Sequence, residues 1–220
     1  MAYGEDSGTL PDVDMVVTEG SPAPLFETGC KLFCPLLGFS GVGAWMDMVS
    51  NDINSEWAEL PWSIDFYFWI EPDAPSSTGQ VVMMDSGDAE IRYKTFDDTL
   101  SVHRGALSMS GPAGPRGCVH HAAWCSEDWD GNYSELWIDG VLVDTGGSHY
   151  AGLSTPTVLP AMRWGTTTFT ADISYSIGLG FIRWTQDFLS EADIASRAGL
   201  AGCCNRGVTS LGKLKARTPR

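Results

Sequence analysis

Aromatic side chains near the predicted sheet edges are the first candidates for chemistry in this sequence. A flat ring stacks on the apolar face of a sugar while the sugar hydroxyls keep their water. Such rings equally pack against neighbouring segments of their own chain, and their positions in the sequence do not decide between the two roles. The candidate rings for a carbohydrate site are Tyr67, Trp69, Trp129, Trp137 and Tyr150.

Acidic side chains in the predicted loops are candidates for binding a metal ion. Carboxylate oxygens gathered at strand ends are the hard ligands that calcium prefers. Simple solvation of acidic turn residues is the alternative, so the sequence raises calcium as an optional cofactor only. The candidate ligands are Asp85, Asp88, Asp97, Asp98, Asp128 and Asp130.

Motifs of catalysis are absent from the sequence. A retaining glycosidase needs two carboxyl groups about 5 Å apart, and the chain has no Glu-x-Asp-x-Glu run to supply them. Glu135 and Asp139 share a predicted strand face, but Trp137 separates them and Asp139 belongs to a predicted turn. The Gly-x-Ser-x-Gly, phosphate-loop and His-Glu-x-x-His motifs are absent as well. We therefore expect a protein that is not an enzyme.

The composition indicates one large folded domain with an acidic surface. The 220 residues are 43% hydrophobic and carry a net charge of -15. This charge argues against nucleic acid as a partner, because phosphate binding needs Lys and Arg. No apolar run reaches the ~18 residues of a membrane span, and the first residues do not resemble an export signal.

Basic residues are concentrated at the end of the chain, where no acidic residue follows Asp193. A basic tail can dock on the acidic surface of a neighbouring copy or of its own chain, and a solvated tail is the alternative. The tail residues proposed for assembly are Arg206, Lys213, Lys215, Arg217 and Arg220.

Strand patterns dominate the middle of the chain. From Trp62 to Ile70, apolar residues alternate with Ser63, Asp65, Tyr67 and Trp69, which predicts a central strand with one side buried. Short strands from Gly79 to Arg104 have the spacing of an antiparallel meander. The dipeptide Asp139-Gly140 predicts a two-residue hairpin turn.

Less regular patterns predict the structure of the other segments. Leu36 to Met48 predicts a hairpin around a Ser-Gly-Val-Gly turn, and the residues before it predict an extended arm. Ser190 is the predicted N-cap of a short helix that continues to Arg197. His120 and His121 are adjacent in a predicted strand and so point to opposite faces, which prevents them from binding one ion together.

Several segments, in the same chain order, resemble the concanavalin A-like, laminin G-like jelly-roll family. They are the residues from Phe39 to Met46, the aromatic strand from Trp62 to Pro72, the His120-His121 strand with the Asp139-Gly140 hairpin, and the residues from Phe181 to Ile194. Val119 departs from the family, which has Trp before the histidine pair, and Cys125 to Trp129 is an insertion. The resemblance implies two curved antiparallel sheets, neighbouring termini, a packed core histidine and, in many relatives, calcium at the loops.

Six cysteines admit several states. Cys118 and Cys125 lie about 23 Å apart on opposite faces of one predicted strand, so they cannot bond each other. If the termini meet, as the resemblance implies, Cys30 and Cys34 converge with the later pair of cysteines in two disulfides or a four-thiolate zinc site. Free thiols are the alternative. The later pair is Cys203 and Cys204.

Together these observations predict an all-β, concanavalin A-like (laminin G-like) jelly-roll β-sandwich with extended N- and C-terminal arms. The predicted divisions are an arm at 1–35, the jelly-roll domain at 36–197 and a basic tail at 198–220. The first functional hypothesis is a non-enzymatic virion surface protein, a decoration, cement or fibre component that forms a homo-oligomer. The second is an extracellular carbohydrate-binding adhesin or lectin module, with or without calcium.

Overall fold

The computed structural model describes the central part of the chain and several isolated strands. Side chains are described in most of the central part, whereas four early strands and parts of the later ones are described by their backbone alone. The described residues are 13–17, 23–25, 36–40, 45–50, 61–74, 80–85, 89–104, 107–127, 133–147, 162–165, 176–199 and 201.

Two antiparallel sheets of seven strands each form the described fold, which is an all-β sandwich. The first sheet has the order β1-β4-β13-β6-β7-β8-β9, and the second has the order β12-β11-β10-β5-β14-β3-β2. The strands are β1 (Val13–Val17), β2 (Ala23–Leu25), β3 (Leu36–Ser40), β4 (Trp45–Ser50), β5 (Trp62–Ile70), β6 (Gln80–Asp85), β7 (Ala89–Lys94), β8 (Thr99–Arg104), β9 (Leu107–Pro112), β10 (Val119–Ser126), β11 (Ser134–Ile138), β12 (Val141–Gly146), β13 (Met162–Gly165) and β14 (Ser176–Thr185), and the helix is α1 (Glu191–Ala198).

Strand β5 is the centre of the second sheet, as its pattern predicts. The apolar residues Trp62, Ile64 and Phe66 join the core between the sheets. The prediction that only one side of β5 is buried is wrong, because every residue from Trp62 to Ile70 is buried. Helix α1 lies over the other face, where Leu189 and Ile194 pack in one cluster with side chains of β10 and β11.

The predicted hairpin from Leu36 to Met48 is also wrong. Strand β3 pairs with β14 in the second sheet, whereas β4 pairs with β13 in the first. The chain therefore changes sheets between these two strands. Two pieces of the predicted N-terminal arm are strands as well, because β1 pairs with β4 and β2 pairs with β3.

The later hairpins follow the sequence pattern. Strands β6, β7 and β8 pair in succession as the predicted meander. Asp139 and Gly140 have φ values of 51° and 79°, the left-handed conformations that a tight two-residue turn requires. In the described part of the chain, no helix is long and apolar enough to cross a membrane.

Candidate functional site

Helix α1 organises the outer face of the second sheet. Its N-cap Ser190 accepts a hydrogen bond from the Asp193 amide, and Glu191 and Asp193 place acidic groups in the first turn. The hydroxyl of Ser63 donates to the Asp187 carbonyl at 2.7 Å and accepts from the Leu189 amide at 3.1 Å. Polar contacts from β5 therefore hold the start of the helix against the sheet.

The helix divides this face into two parts. The register places Trp137 opposite Ala123, Ala123 opposite Asp65, and Asp65 opposite Arg183 along one row across β11, β10, β5 and β14. The ends of that row lie about 14 Å apart at ~4.8 Å per strand step. We name the two parts the aromatic flank (Tyr133, Glu135, Trp137 and Phe188) and the basic flank (Asp65, Phe181, Arg183 and Arg197).

The aromatic flank joins rings to a carboxylate at the surface. Tyr133 is 37% exposed, and its ring stacks on Phe188 with centroids 6.2 Å apart. The Tyr133 hydroxyl donates to Glu135 Oε1 at 2.8 Å, and the indole Nε1 of Trp137 donates to Glu135 Oε2 at 2.7 Å. The carboxylate is thus held by one donor on each oxygen and retains further acceptor capacity.

Two carboxylates, those of Glu135 and Glu127, act on the exposed Tyr133 ring of the aromatic flank. The hydrogen bond to Glu135 is the largest cause that raises the pKa of Tyr133, and the charges of Glu135 and Glu127 add to it. The Glu127 amide donates to the Tyr133 carbonyl at 3.0 Å, which closes the base of the loop between β10 and β11. This flank therefore presents an aromatic face beside carboxylates.

The basic flank is built around a fully buried carboxylate. Asp65 Oδ1 accepts from Arg183 Nε at 2.9 Å, Arg183 Nη2 at 2.5 Å and His121 Nε2 at 3.2 Å. Its Oδ2 accepts from Arg197 Nη1 on helix α1. The Tyr67 hydroxyl donates to the Arg197 carbonyl at 2.6 Å, so the last turn of the helix is fastened to β5 twice.

Electrostatic interactions in the basic flank favour the ionised forms of Asp65 and Arg183. Burial alone would raise the pKa of Asp65, but the His121 hydrogen bond and the two guanidinium groups lower it overall. Burial opposes the charge of Arg183 as well, but Asp65 outweighs it and raises the pKa of that arginine. The network therefore sets two permanent positive charges against one negative charge.

A backbone irregularity lies beside this network. The β14–β5 register shifts between Gly180 and Arg183, and Phe181 within the shift has a φ of 43°. A positive φ is costly for a bulky side chain. The Phe181 ring meets Tyr67 edge to face at 6.1 Å, and the guanidinium carbon of Arg183 lies 6.0 Å from the centre of the Tyr67 ring.

The sequence-predicted aromatic site is not assembled as expected. Tyr67, Trp69 and Trp137 are 1%, 0% and 7% exposed, so they present no open ring face for a sugar. For Trp137 and Tyr67 the physical reason is helix α1, because Trp137 packs in one cluster with Ile194 and Tyr67 donates to the Arg197 carbonyl. Trp129 and Tyr150 lie outside the described residues. Sequence reasoning missed Tyr133 and Phe188, although Tyr133 stands at the edge of the loop that contains Trp129.

Of the sequence-predicted calcium ligands, only Asp97 and Asp98 have described side chains. Asp98 accepts from Arg116 Nε at 2.6 Å and from the Tyr93 hydroxyl, while Asp97 accepts from Thr99. Arg116 thus occupies the carboxylate that a cation would need. Asp88, Asp128 and Asp130 lie outside the described residues, as does the side chain of Asp85. Within the described part of the chain, no group of three or more His, Cys, Asp or Glu side chains is arranged to hold a metal ion.

The cysteines are partly accounted for. Cys125 is a free, buried thiol whose pKa burial raises to about 11, and Cys118 is disulfide-bonded. The two do not bond each other, as predicted. Cys118 was not among the cysteines expected to pair, and its partner lies outside the described residues. Cys30, Cys34, Cys203 and Cys204 also lie there, as do the basic residues of the tail, which are Arg206, Lys213, Lys215, Arg217 and Arg220.

The adjacent histidines point to opposite faces, as predicted, and both are buried. His120 Nδ1 lies 2.7 Å from Asp139 Oδ2, and its Nε2 donates to the Pro115 carbonyl at 2.9 Å. Desolvation opposes the charged ring, but Asp139 and Pro115 raise the pKa of His120 overall. His121 Nδ1 has no hydrogen-bond partner among the described residues.

The outer face of the first sheet is polar where side chains are described. Arg92 pairs with Glu90 in an ion pair on β7, and His103 Nε2 lies 3.0 Å from Ser101 Oγ on β8. Burial, with Arg92 and Lys94 nearby, lowers the pKa of His103. In the Arg92–Glu90 ion pair, one basic group is matched by one acidic group.

Comparisons with known proteins support the fold. No protein-family model matches the chain, and no curated protein matches it. The receptor-binding domain of botulinum neurotoxin C/D mosaic serotype is similar at a TM-score of 0.68 and 12% identity, over 86% of this chain and 46% of that one. The receptor-binding domain of botulinum neurotoxin D gives 0.67 and 13%, over 86% and 48%.

A third neighbour is the ligand-binding domain of botulinum neurotoxin serotype D in complex with N-acetylneuraminic acid. It matches at a TM-score of 0.66 and 12% identity, over 86% of this chain and 46% of that one. The chain therefore spans about half the length of these neighbours. A likeness at this identity shows the fold alone, a β-rich sandwich that also occurs in receptor-binding proteins.

Proposed function

We propose that the protein is a carbohydrate-binding module that recognises a glycan through its aromatic flank. The observation that carries this proposal is Tyr133, a partly exposed ring that is stacked on Phe188 and oriented by Glu135. A ring held in this way offers its apolar surface to a sugar at a small cost in conformational entropy.

Recognition on this flank uses two kinds of contact. The C–H face of a sugar ring packs on Tyr133, and sugar hydroxyls donate to the remaining lone pairs of Glu135. The hydrogen bonds from Tyr133 and Trp137 fix the carboxylate before a ligand arrives. With Glu127 and Glu135 both nearby, the flank favours a neutral sugar, because an acidic one would meet like charge.

The structural neighbours support the general class of this function. They are receptor-binding domains, and one of them is in complex with N-acetylneuraminic acid. Their receptor-binding role agrees with the module proposed here, in which exposed side chains rather than catalytic groups carry the function.

The test compares two exposed aromatic side chains on the full chain. A glycan array identifies the ligand, and calorimetry then measures its dissociation constant for the wild type, Tyr133→Ala and Phe96→Ala. Phe96 is the matched control, because it is exposed on the turn between β7 and β8. We expect about a tenfold loss of affinity for Tyr133→Ala and none for Phe96→Ala. An array without any bound glycan, or equal affinities for all three proteins, would contradict the proposal.

Assembly on a virion surface is a second candidate function, supported by the charge distribution of the sequence. An acidic body with a basic C-terminal tail suits docking between copies. Light scattering across a salt series tests it, since ions screen such docking. A salt-sensitive homo-oligomer supports assembly, and a monomer at every salt concentration argues against it.

A further inference from the structure

We infer that the basic flank is a binding site for the oxyanion group of an acidic sugar, a carboxylate or a sulfate held by Arg183 and Arg197. This inference goes beyond the proposed function. It uses different residues on the other side of helix α1, and it does not depend on whether Tyr133 binds a sugar.

The charges of the basic flank do not balance. Arg183 and Arg197 both pair with Asp65, so two guanidinium charges share one carboxylate. The flank therefore keeps at least one positive charge in excess, on a protein whose net charge is -15. A bound monoanion would complete the balance and would form charge-assisted hydrogen bonds with both arginines.

The two arginines of the basic flank carry more hydrogen-bond donors than Asp65 can accept. A guanidinium group carries five N–H donors in a planar fork. Arg197 uses Nη1 on Asp65, and Arg183 directs Nε and Nη2 to one oxygen of the same carboxylate. Arg183 also forms a side-chain hydrogen bond with Tyr67. Among the described residues, Arg197 donates from Nη1 alone, and the remaining N–H groups of its fork suit the geometry of a carboxylate or a sulfate.

Another arginine in the same molecule shows how a purely structural one is arranged. Arg116 donates from Nε to Asp98, from Nη1 to the Ala74 carbonyl and from Nη2 to the Thr95 carbonyl. All three of its nitrogens end on acceptors of the protein, and it faces one carboxylate by itself. The basic flank differs, because two arginines share one carboxylate there and Arg197 donates to the described residues from Nη1 alone, which points to an additional acceptor from outside.

Solvent reaches the arginines of the basic flank but not its carboxylate. The side chain of Asp65 is 0% exposed, whereas those of Arg183 and Arg197 are 21% and 25% exposed. An anion that approaches from solvent therefore meets the two arginines and is kept from the buried carboxylate. Solvent access and positive charge coincide at the same two side chains.

An aromatic residue of the basic flank suits the sugar to which the anion belongs. Phe181 is a partly exposed aromatic residue held at positive φ, next to Tyr67 and two residues before Arg183. Strained conformations of this kind persist where a site requires them. The ring supplies an apolar contact beside the guanidinium groups, so the flank selects a sugar that bears an anion over a free ion.

The experiment is a titration of the full chain with glucuronate, glucose 6-sulfate and glucose, followed by two-dimensional NMR or calorimetry. We expect the two acidic sugars to bind at least about tenfold more tightly than glucose, and to weaken as salt rises. A preference for glucuronate assigns the site to a carboxylate, and a preference for glucose 6-sulfate assigns it to a sulfate. If glucose binds as well as both acidic sugars, the inference is wrong.

Three variants locate the site. Arg183→Lys keeps the charge but loses the planar fork, and Phe181→Gly removes the ring where glycine adopts the same φ without strain. Each is expected to weaken glucuronate binding several-fold. Arg92→Gln is the matched control, because Arg92 forms an ion pair with Glu90 on the other sheet, and it should bind like the wild type. Unchanged binding in both Arg183→Lys and Phe181→Gly would overturn the inference.

Tyr133→Ala separates this inference from the proposed function. If that variant loses neutral glycans and keeps glucuronate, both proposals stand. If no neutral glycan binds but glucuronate binding depends on Arg183, the proposed function fails and the inference stands. If neutral glycans bind at Tyr133 but no acidic sugar prefers Arg183, only the inference fails.

Discussion

The aromatic flank and the basic flank lie on one sheet face, on either side of one helix, but they are stabilised differently. Glu135 of the aromatic flank is partly exposed. It accepts hydrogen bonds from Trp137 on its own strand and from Tyr133, the residue before that strand. Asp65 of the basic flank is fully buried and joins β5, β10, β14 and α1. The aromatic flank can therefore change without loss of the fold, whereas the basic flank serves binding and folding together.

The largest expected effect comes from removing the buried charge of the basic flank. Asp65→Asn leaves Arg183 and Arg197 without their common counter-charge, and breaking a buried pair in this way costs about 3 to 5 kcal/mol. The free energy of unfolding in urea measures it. Glu90→Gln, in the partly exposed pair with Arg92, is the control and should cost less than about 1 kcal/mol. Equal costs would show that the two pairs do not differ.

The next effect tests the helix that separates the flanks. Ile194 is fully buried against the sheet, and Ile194→Ala should cost about 2 to 3 kcal/mol of stability through the cavity it leaves. Hydrogen exchange should then show faster exchange on α1 than on the β6–β8 meander. Ala192→Gly, at an exposed position of the same helix, lowers only helix propensity, by about 1 kcal/mol. A loss no larger for Ile194→Ala would contradict the packing described.

A smaller effect depends on pH and concerns the turn that supports the end of the helix. The pKa of His120 is raised above 6.5, and Gly140 in the adjoining turn packs against Ala198. A raised pKa means that the protonated ring stabilises the fold fully below the unfolded value. That contribution is lost as pH rises through the folded pKa.

The pH window lies between the ordinary histidine pKa of 6.5 and the raised pKa of His120. Urea unfolding across this window measures the effect as the difference in stability between the wild type and His120→Gln. The stability advantage of the wild type should shrink as pH rises. His103→Gln is the control, because burial, with Arg92 and Lys94, lowers the pKa of His103 and gives the opposite sign. A wild-type advantage that grows with pH would contradict the pairing of His120 with Asp139.

The smallest expected effect sharpens the description of the aromatic flank. Glu135→Gln removes the charge that raises the pKa of Tyr133, so this tyrosine should ionise nearer its ordinary value. Near-ultraviolet absorbance across a pH series measures the change. Tyr93, whose pKa is raised by burial and by Asp98, should titrate as before. An unchanged Tyr133 would mean that its hydroxyl does not depend on Glu135.

Local patterns predicted much of the fold because they record local physics. The strand from Trp62 to Ile70, the Asp139-Gly140 turn and the Ser190 cap are properties of a few consecutive residues, and the structure contains all three. The hairpin predicted from Leu36 to Met48 was wrong because a hairpin and a crossing between sheets have the same local pattern. Only the partners of β3 and β4 distinguish them.

The sequence by itself determined an all-β sandwich, its central strand and an acidic chain without recognisable catalytic motifs. The tertiary structure decided which side chains meet and which reach solvent. Asp65 and Tyr67 lie at alternate strand positions that an exposed face also occupies, and they are buried because helix α1, more than a hundred residues later, covers them. Exposure depends on such long-range packing, which no short pattern records, so the open ring is Tyr133 and not Trp69.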